Sequence, residues 1–284
     1  MSKHGRLARI LGKTATDTRL YEAPKYVRSS QIARLCPWEE YFKSKHYKEP
    51  VMKTTPMTRE LDLTFTLGTF VHEYLQSVVI GPLGFLKGEW VCVSCGQSQK
   101  DCYYPDECTY CAGGTFHYEE YALFDKDLRL SGHVDGLICQ NRMDFVFLAL
   151  EEGVPEKDIV IPSDLPEKLK HLEIKSANEW SYKSVLSNME IPEYYRIQSC
   201  AYQHMLGIDE TLFLYINMNN KKMMVVPYRA EPDLWEASKD KIRTVWEAVD
   251  NDCPPPPSTR SCLSLKDKRA KECPFAFECF GTGK

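Results

Sequence analysis

Two C-x-x-C pairs, C-V-S-C at 92–95 and C-T-Y-C at 108–111, limit what this chain can fold into more than any other feature. Two such knuckles separated by a short spacer suit tetrahedral thiolate coordination of zinc. Gly96 and Gly113-Gly114 follow the pairs and let the backbone turn its amides toward sulfur. The alternative, free thiols on a loop, is disfavoured by the spacing. Cys102 reads as a spectator. The expectation is a zinc ribbon over residues 88–117, with Cys92, Cys95, Cys108 and Cys111 as Zn2+ ligands, inserted between a helix at 64–79 and a strand carrying Asp135.

The chain holds 12 cysteines in 284 residues. A chain this long buries a core without disulfides, so the cysteines point to metals and a reducing, cytoplasmic setting. No apolar run approaches the ~18 residues of a membrane span. The net charge of -4 argues against a wholly basic nucleic-acid binder but leaves room for a local basic groove. The start, M-S-K-H-G-R-L-A-R-I-L-G-K, is basic without an apolar signal core. Residues 1–27 therefore read as an arm and 28–284 as the main domain.

The stretch from Ser131 to Lys175 carries the candidate chemistry. It opens with S-G-H-V-D-G-L, containing Asp135, and closes with H-L-E-I-K-S, containing Glu173 and Lys175. In L-E-I-K apolar and charged residues alternate, so Glu173 and Lys175 share one face of a strand. Two acids and a lysine on rigid strands suit metal-assisted phosphodiester cleavage: carboxylates hold a hard cation, and an amine stabilises charge or positions water. Taken alone, E-x-K reads as an exposed ion pair. The surrounding motifs shift that balance.

In chain order, Ser29 or Ser30 is expected to cap a short helix over Gln31–Leu35, ended by Cys36-Pro37. Residues 64–79 read as a buried helix with Leu67, Phe70, Val71, Tyr74, Leu75 and Val78 inward and His72, Glu73 and Gln76 on the polar side. Three antiparallel strands are expected at Tyr118–Phe124, Leu128–Cys139 and Asp144–Leu150. A helix from Pro192 to Leu206 buries Tyr194, Ile197, Ala201 and Met205 and puts Gln198 and Tyr202 on a shared face. Residues 211–217 and 222–229 form a hairpin around Asn219-Asn220, with Pro227 marking an edge. Residues 232–250 form an amphipathic helix. A proline-rich connector and a tail with Cys262, Cys273 and Cys279 follow.

The order His72, G-H-V-D-G with Asp135, E-I-K at 173–175 and Q-x-x-x-Y at 198–202 resembles the PD-(D/E)XK nuclease superfamily. The closest likeness is to its RecB-type branch, with the CRISPR-associated exonucleases and the AddB nuclease domain. The resemblance spans residues 28–280. It implies an α/β fold with a restriction-endonuclease-like mixed central sheet flanked by helices. In that branch one early and three late cysteines hold an iron–sulfur cluster joining the N- and C-terminal segments; here these would be Cys36, Cys262, Cys273 and Cys279. The gap between Cys262 and Cys273 departs from the family's usual C-x-x-C, so Cys253 is a rival ligand. Four thiolates suit a [4Fe–4S] cube or a second zinc. The zinc ribbon lies outside the family's common core.

The resemblance further implies that His72, Asp135, Glu173 and the Ile174 carbonyl bind Mg2+ or Mn2+. Imidazole favours manganese. Lys175 would orient or activate water, Gln198 and Tyr202 would contact substrate or Lys175, and Glu73 would support a ligand from behind. The expected activity is hydrolysis of DNA, exonucleolytic and preferring single strands or ends, in recombination, repair or replication, encoded by a bacterium, archaeon or phage. A helicase or recombination partner and a homo-oligomer fit that setting. The alternatives are a non-catalytic nucleic-acid-binding or assembly protein on the same fold, and a sequence-specific endonuclease.

Overall fold

In the computed structural model, residues 18–20, 25–46, 50–52 and 59–281 are described. The arm expected over 1–27 thus lies mostly outside the described residues. In chain order the elements are β1 (Thr18–Leu20), β2 (Val27–Arg28), α1 (Pro37–Lys45), β3 (Pro50–Met52), α2 (Arg59–Tyr74), β4 (Leu86–Cys92), β5 (Ser98–Cys102), β6 (Phe116–Glu119), β7 (Tyr121–Asp125), β8 (Leu130–Val134) and β9 (Gly136–Cys139). There follow α3 (Gln140–Glu151), β10 (Leu169–Ala177), α4 (Glu179–Asn188), α5 (Glu193–Leu206), β11 (Glu210–Asn217), β12 (Met223–Arg229), α6 (Pro232–Asp250), α7 (Lys268–Glu272) and α8 (Ala276–Cys279). No described helix is long and apolar enough to cross a membrane.

The chain divides into two units, one of which comprises Gly68–Asp125 and Ser131–Pro232. Its frame is a mixed sheet of seven strands in the order β12-β11-β10-β9-β4-β5, with β6 also paired to β4. β10 and β11 run parallel; β9 with β10, β11 with β12, and β4 with β5, β6 and β9 run antiparallel. A parallel neighbour needs a crossover, and α4 and α5 provide it, packing on β10 and β11. Leu172 and Ile174 of β10 join Leu75, Ile80, Leu86, Val146 and Leu214 in the core. The hairpin of β11 and β12 forms as expected, with Pro227 in the edge strand.

Three expectations fail here. The long strand at 128–139 is broken at Asp135 into β8, which pairs with β7 in a smaller sheet, and β9, which joins the large one. The strand at 144–150 is helical and belongs to α3. Met143, Val146, Phe147 and Leu150 repeat at helical spacing as well as they alternate, and Val146 packs into the core while Phe147 sets its ring edge against Phe85. The helix at 64–79 is not buried along its expected stripe: Leu67, Phe70, Tyr74 and Val78 are exposed. After Tyr74 the helix widens into a π-helical stretch at Leu75–Ile80, where Leu75 is buried as expected and Gln76 and Ile80 turn inward with it.

The other unit comprises the described residues of Met1–Leu67, with Lys126–Leu130 and Asp233–Lys284. β1 and β3 pair antiparallel. Residues 29–34 form a 3-10 turn with no side-chain cap, in place of the capped helix expected at 31–35, and Pro37 then opens α1 at a position where its missing N–H costs nothing. In α6, Ile242, Val245 and Trp246 are buried as expected. The Trp246 indole donates to the Leu128 carbonyl at 2.9 Å, and the Arg129 guanidinium covers the ring at 3.7 Å. Early and late segments meet: the Trp38 indole donates to the Pro256 carbonyl at 3.1 Å, and the Ser261 hydroxyl to Leu35 at 3.5 Å.

Candidate metal and reaction centre

The break at Asp135 makes the site. β9 and β10 pair with Gly136 opposite Leu172, so one step further along the same register Asp135 faces Glu173. Asp135 turns Oδ2 onto the Ile174 amide, which donates to it at 2.6 Å. Its other oxygen lies 3.4 Å from His72 Nδ1. The Gln76 amide donates to the Asp135 carbonyl at 2.7 Å, so the π-helical stretch that turned Gln76 inward also pins this loop. Gly136 is required by space: a Cβ there would lie 2.6 Å from Leu86 Cδ1.

His72, Glu120 and Asp135 offer ligand atoms that all lie within 4.8 Å of one another. Glu120 was not singled out in the sequence. It sits where β6 gives way to β7, and the adjacent acids Glu119-Glu120 were the available signal, since neighbours on a strand face opposite ways. Burial and the Asp135 carboxylate push the Glu120 carboxyl up to about 7. Burial works against a charged His72, yet the Asp135 carboxylate raises it above the ordinary histidine value. An open cleft of about 730 Å3 borders the group, lined among others by His72, Glu73, Gln76, Glu120 and His133.

Glu173 and Lys175 share a face, as their alternation predicts, but Glu173 is buried and Lys175 is half-buried rather than solvated. Glu173 is 3% exposed. The Lys175 ammonium donates to Glu173 Oε1. Burial alone would raise the Glu173 carboxyl, but Lys175 and His171 hold it down to about 2. Burial likewise opposes the Lys175 charge, and the Glu173 and Asp135 carboxylates outweigh it, holding the ammonium well above the ordinary lysine value. Glu173 Oε2 lies 3.1 Å from His171 Nε2, so the imidazole and the Lys175 ammonium flank the two carboxylate oxygens. A carboxylate kept charged at this depth is a candidate cation ligand.

His171 is itself wholly buried, with Nδ1 3.1 Å from the Thr211 hydroxyl, which Ser199 and Gln203 also bond. Gln198 donates to the Tyr202 hydroxyl at 3.2 Å, and the Tyr202 ring stands edge-on to His171 at 5.1 Å. Tyr202 therefore backs His171, and Gln198 holds Tyr202. A ring that does stand beside Lys175 is that of Tyr195, 4.4 Å from the ammonium.

The four knuckle cysteines converge. Cys92 and Cys111 sulfurs stand 3.7 Å apart, as do those of Cys95 and Cys108. Around tetrahedral zinc, with bonds of ~2.3 Å, sulfurs lie about 3.8 Å apart, so the set has single-ion spacing. Burial would raise the Cys92 thiol, but the Cys95 and Ser94 amides aimed at its sulfur bring it to about 6. The Tyr110 amide reaches Cys108 sulfur in the same way at 3.4 Å. The first knuckle turns on Gly96, at φ 71°; the second turns on Ala112, at φ 55°, rather than on the glycines after it. Cys102 bonds the Gln99 carbonyl and stands apart from the set. β4, which ends in Cys92, is a strand of the seven-stranded sheet, so the knuckles grow out of the main sheet.

In the other unit Cys36, Cys262, Cys273 and Cys279 line one cavity, roofed by Trp38, Phe42 and Arg260. Cys253 is exposed and does not line it. Unlike the knuckles, these four sulfurs are not drawn to single-ion spacing. Burial pushes Cys273 up to about 11 and raises Cys262 and Cys279, against Arg269 near the one and Arg260 near the other.

No protein-family model and no curated relative matches the chain. Among solved structures, the alkaline exonuclease LHK-Exo of Laribacter hongkongensis is similar at 9% identity and a TM-score of 0.40, over 81% of this chain and 90% of that one. Its complex with dAMP gives 0.39 at 9% identity, over the same shares. SSO0001 gives 0.33 at 11% identity, over 84% of this chain and 83% of that one. Likenesses of this size carry no argument about the chain, and the site stands on its own geometry.

Proposed function

We propose that the chain is a metal-dependent deoxyribonuclease of the PD-(D/E)XK type, acting on single strands or ends. The observation that supports it best is the closure of His72, Glu120 and Asp135 to single-ion spacing, with Asp135 clamped to the strand that carries Glu173 and Lys175. An imidazole and two carboxylates suit Mn2+ better than Mg2+. Glu173 and the Ile174 carbonyl would complete the donor set. A bound divalent ion supplies Lewis acidity toward the phosphate and lowers the pKa of water.

The remaining work falls to this chain's own side chains. Lys175 stays protonated beside two carboxylates, so it acts as a cation facing developing negative charge and not as the proton acceptor. Asp135 fixes β9 against β10 and holds His72 in place. Digestion of linear single-stranded DNA in Mn2+, compared with Asp135→Asn and Glu173→Gln proteins of native circular dichroism, tests the reading. We expect activity in the parent and its loss in both variants; undiminished cleavage by both overturns it. Discrete cuts in closed circular duplex would favour a sequence-specific endonuclease, and metal binding without cleavage a non-catalytic binder.

For the thiol sites we propose Zn2+ at the knuckles, on sulfur spacing, and a [4Fe–4S] cluster at Cys36, Cys262, Cys273 and Cys279, which line one cavity. Anaerobically purified protein should carry zinc and show a broad absorption near ~400 nm. Colourless protein with zinc at both sites would refute the cluster.

A further inference from the structure

Tyrosine is expected half-buried at most sites and tryptophan more deeply buried. Two aromatic residues near the Lys175 end of β10 depart from this. Trp180, three residues past the end of β10 in the first turn of α4, is 80% exposed, and Tyr194, in the first turn of α5, is 47% exposed. Tyr194 does not stand alone. Its ring lies against that of Tyr195 at 4.1 Å between centroids, tilted by 51°, and the Lys175 ammonium lies over the Tyr195 ring at 4.4 Å. An aromatic file therefore runs from solvent, through Tyr194 and Tyr195, to the lysine beside Glu173. The helical pattern of 193–206 predicts Tyr194 in the core stripe, yet Ile197 and Ala201 are buried without it.

We propose that Tyr194, held by Tyr195, is a stacking platform for a nucleobase of the DNA strand, seating the nucleotide next to the phosphate that Lys175 faces. This rests on the nuclease reading and names the part of the substrate that the site grips. Base-to-aromatic stacking tolerates any sequence, because each base has a π-face, and it requires an unpaired base. The platform thus selects single strands and frayed ends over intact duplex. Tyr195 is already engaged by both the Lys175 ammonium and the Tyr194 ring, which leaves Tyr194 as the exposed member of the pair.

The test uses full-length protein made cleavage-incompetent by Asp135→Asn, in Mn2+, and two labelled probes of equal length: an oligothymidylate and the same strand with abasic sites. Fluorescence anisotropy gives the binding constants for this parent, for Tyr194→Ala and for Tyr194→Phe. We expect Tyr194→Ala to weaken oligothymidylate binding by roughly 5- to 150-fold, the worth of one stacked base. Tyr194→Phe should bind as the parent, and the abasic strand should not distinguish the three. Equal oligothymidylate binding by Tyr194→Ala and the parent overturns the platform, as does an equal loss on both probes, which would mark a structural role. A parent that binds neither probe would instead sink the nuclease reading, and the platform with it.

Discussion

Replacing Lys175 by methionine keeps the stem and removes the ammonium, leaving Glu173 buried without its cation. The cost follows from the carboxyl. Its folded value of about 2 lies below the ordinary 4.5, and at 1.36 kcal/mol per unit the gap contributes about 3 kcal/mol at pH 7. The direction is fixed by the depressed value: the stabilisation is complete above 4.5 and is lost as pH falls toward 2. At pH 3 less than half of it remains. His171 shares in holding the carboxyl down, so the variant should lose up to about 3 kcal/mol at pH 7, on the scale of the ~3–5 kcal/mol for breaking a buried pair, and about half that or less at pH 3. Urea denaturation of both proteins at the two pH values, without added divalent ions, gives the numbers. A loss that is the same at pH 7 and pH 3, or larger at pH 3, would refute the claim that this pair holds the Glu173 charge.

Glu120→Gln should weaken Mn2+ binding by at least ~10-fold, the scale on which even supporting residues act at metal sites. Parent affinity should rise from pH 6 to pH 8, because the carboxyl at about 7 must shed its proton to ligate; isothermal titration that finds no pH dependence counts against Glu120 as a ligand. Cys108→Ser should remove zinc while leaving iron in place, as read by metal analysis; zinc retained in full would exclude the knuckle assignment. Gly88→Ala drives a Cβ to within 2.0 Å of the Tyr118 ring and should cost roughly 1–3 kcal/mol in chemical denaturation. A neutral result would mean that the ring gives way freely.

What the sequence revealed and what it hid divide along physical lines. Alternation in L-E-I-K placed Glu173 and Lys175 on one face correctly, because the period of a strand is independent of its depth. Depth itself was hidden: nothing in four residues tells an exposed pair from one whose acid is 3% exposed. The hairpin at Asn219-Asn220 was legible from local turn chemistry. The helix at 140–151 was not, since D-F-V-F-L-A-L satisfies both periods and the choice was made by packing against Leu86 and Ile138. Glu120 and Tyr195 escaped for a different reason. Each gains its part from a partner distant in the chain, Asp135 or Lys175, and no motif spans such a pair. The inward turn of Gln76 depends on a widened helical stretch that a strict 3.6-residue count cannot foresee.

β4 starts at Leu86 opposite Ile138 of β9 and ends at Cys92. An ion at the knuckles would thus be fastened to a beam that also shoulders the strand leading out of Asp135. Occupancy at the thiols would stiffen that beam along its length, so stripping zinc should quicken amide exchange in β9 and slacken the seat of the acid without touching any of its ligands.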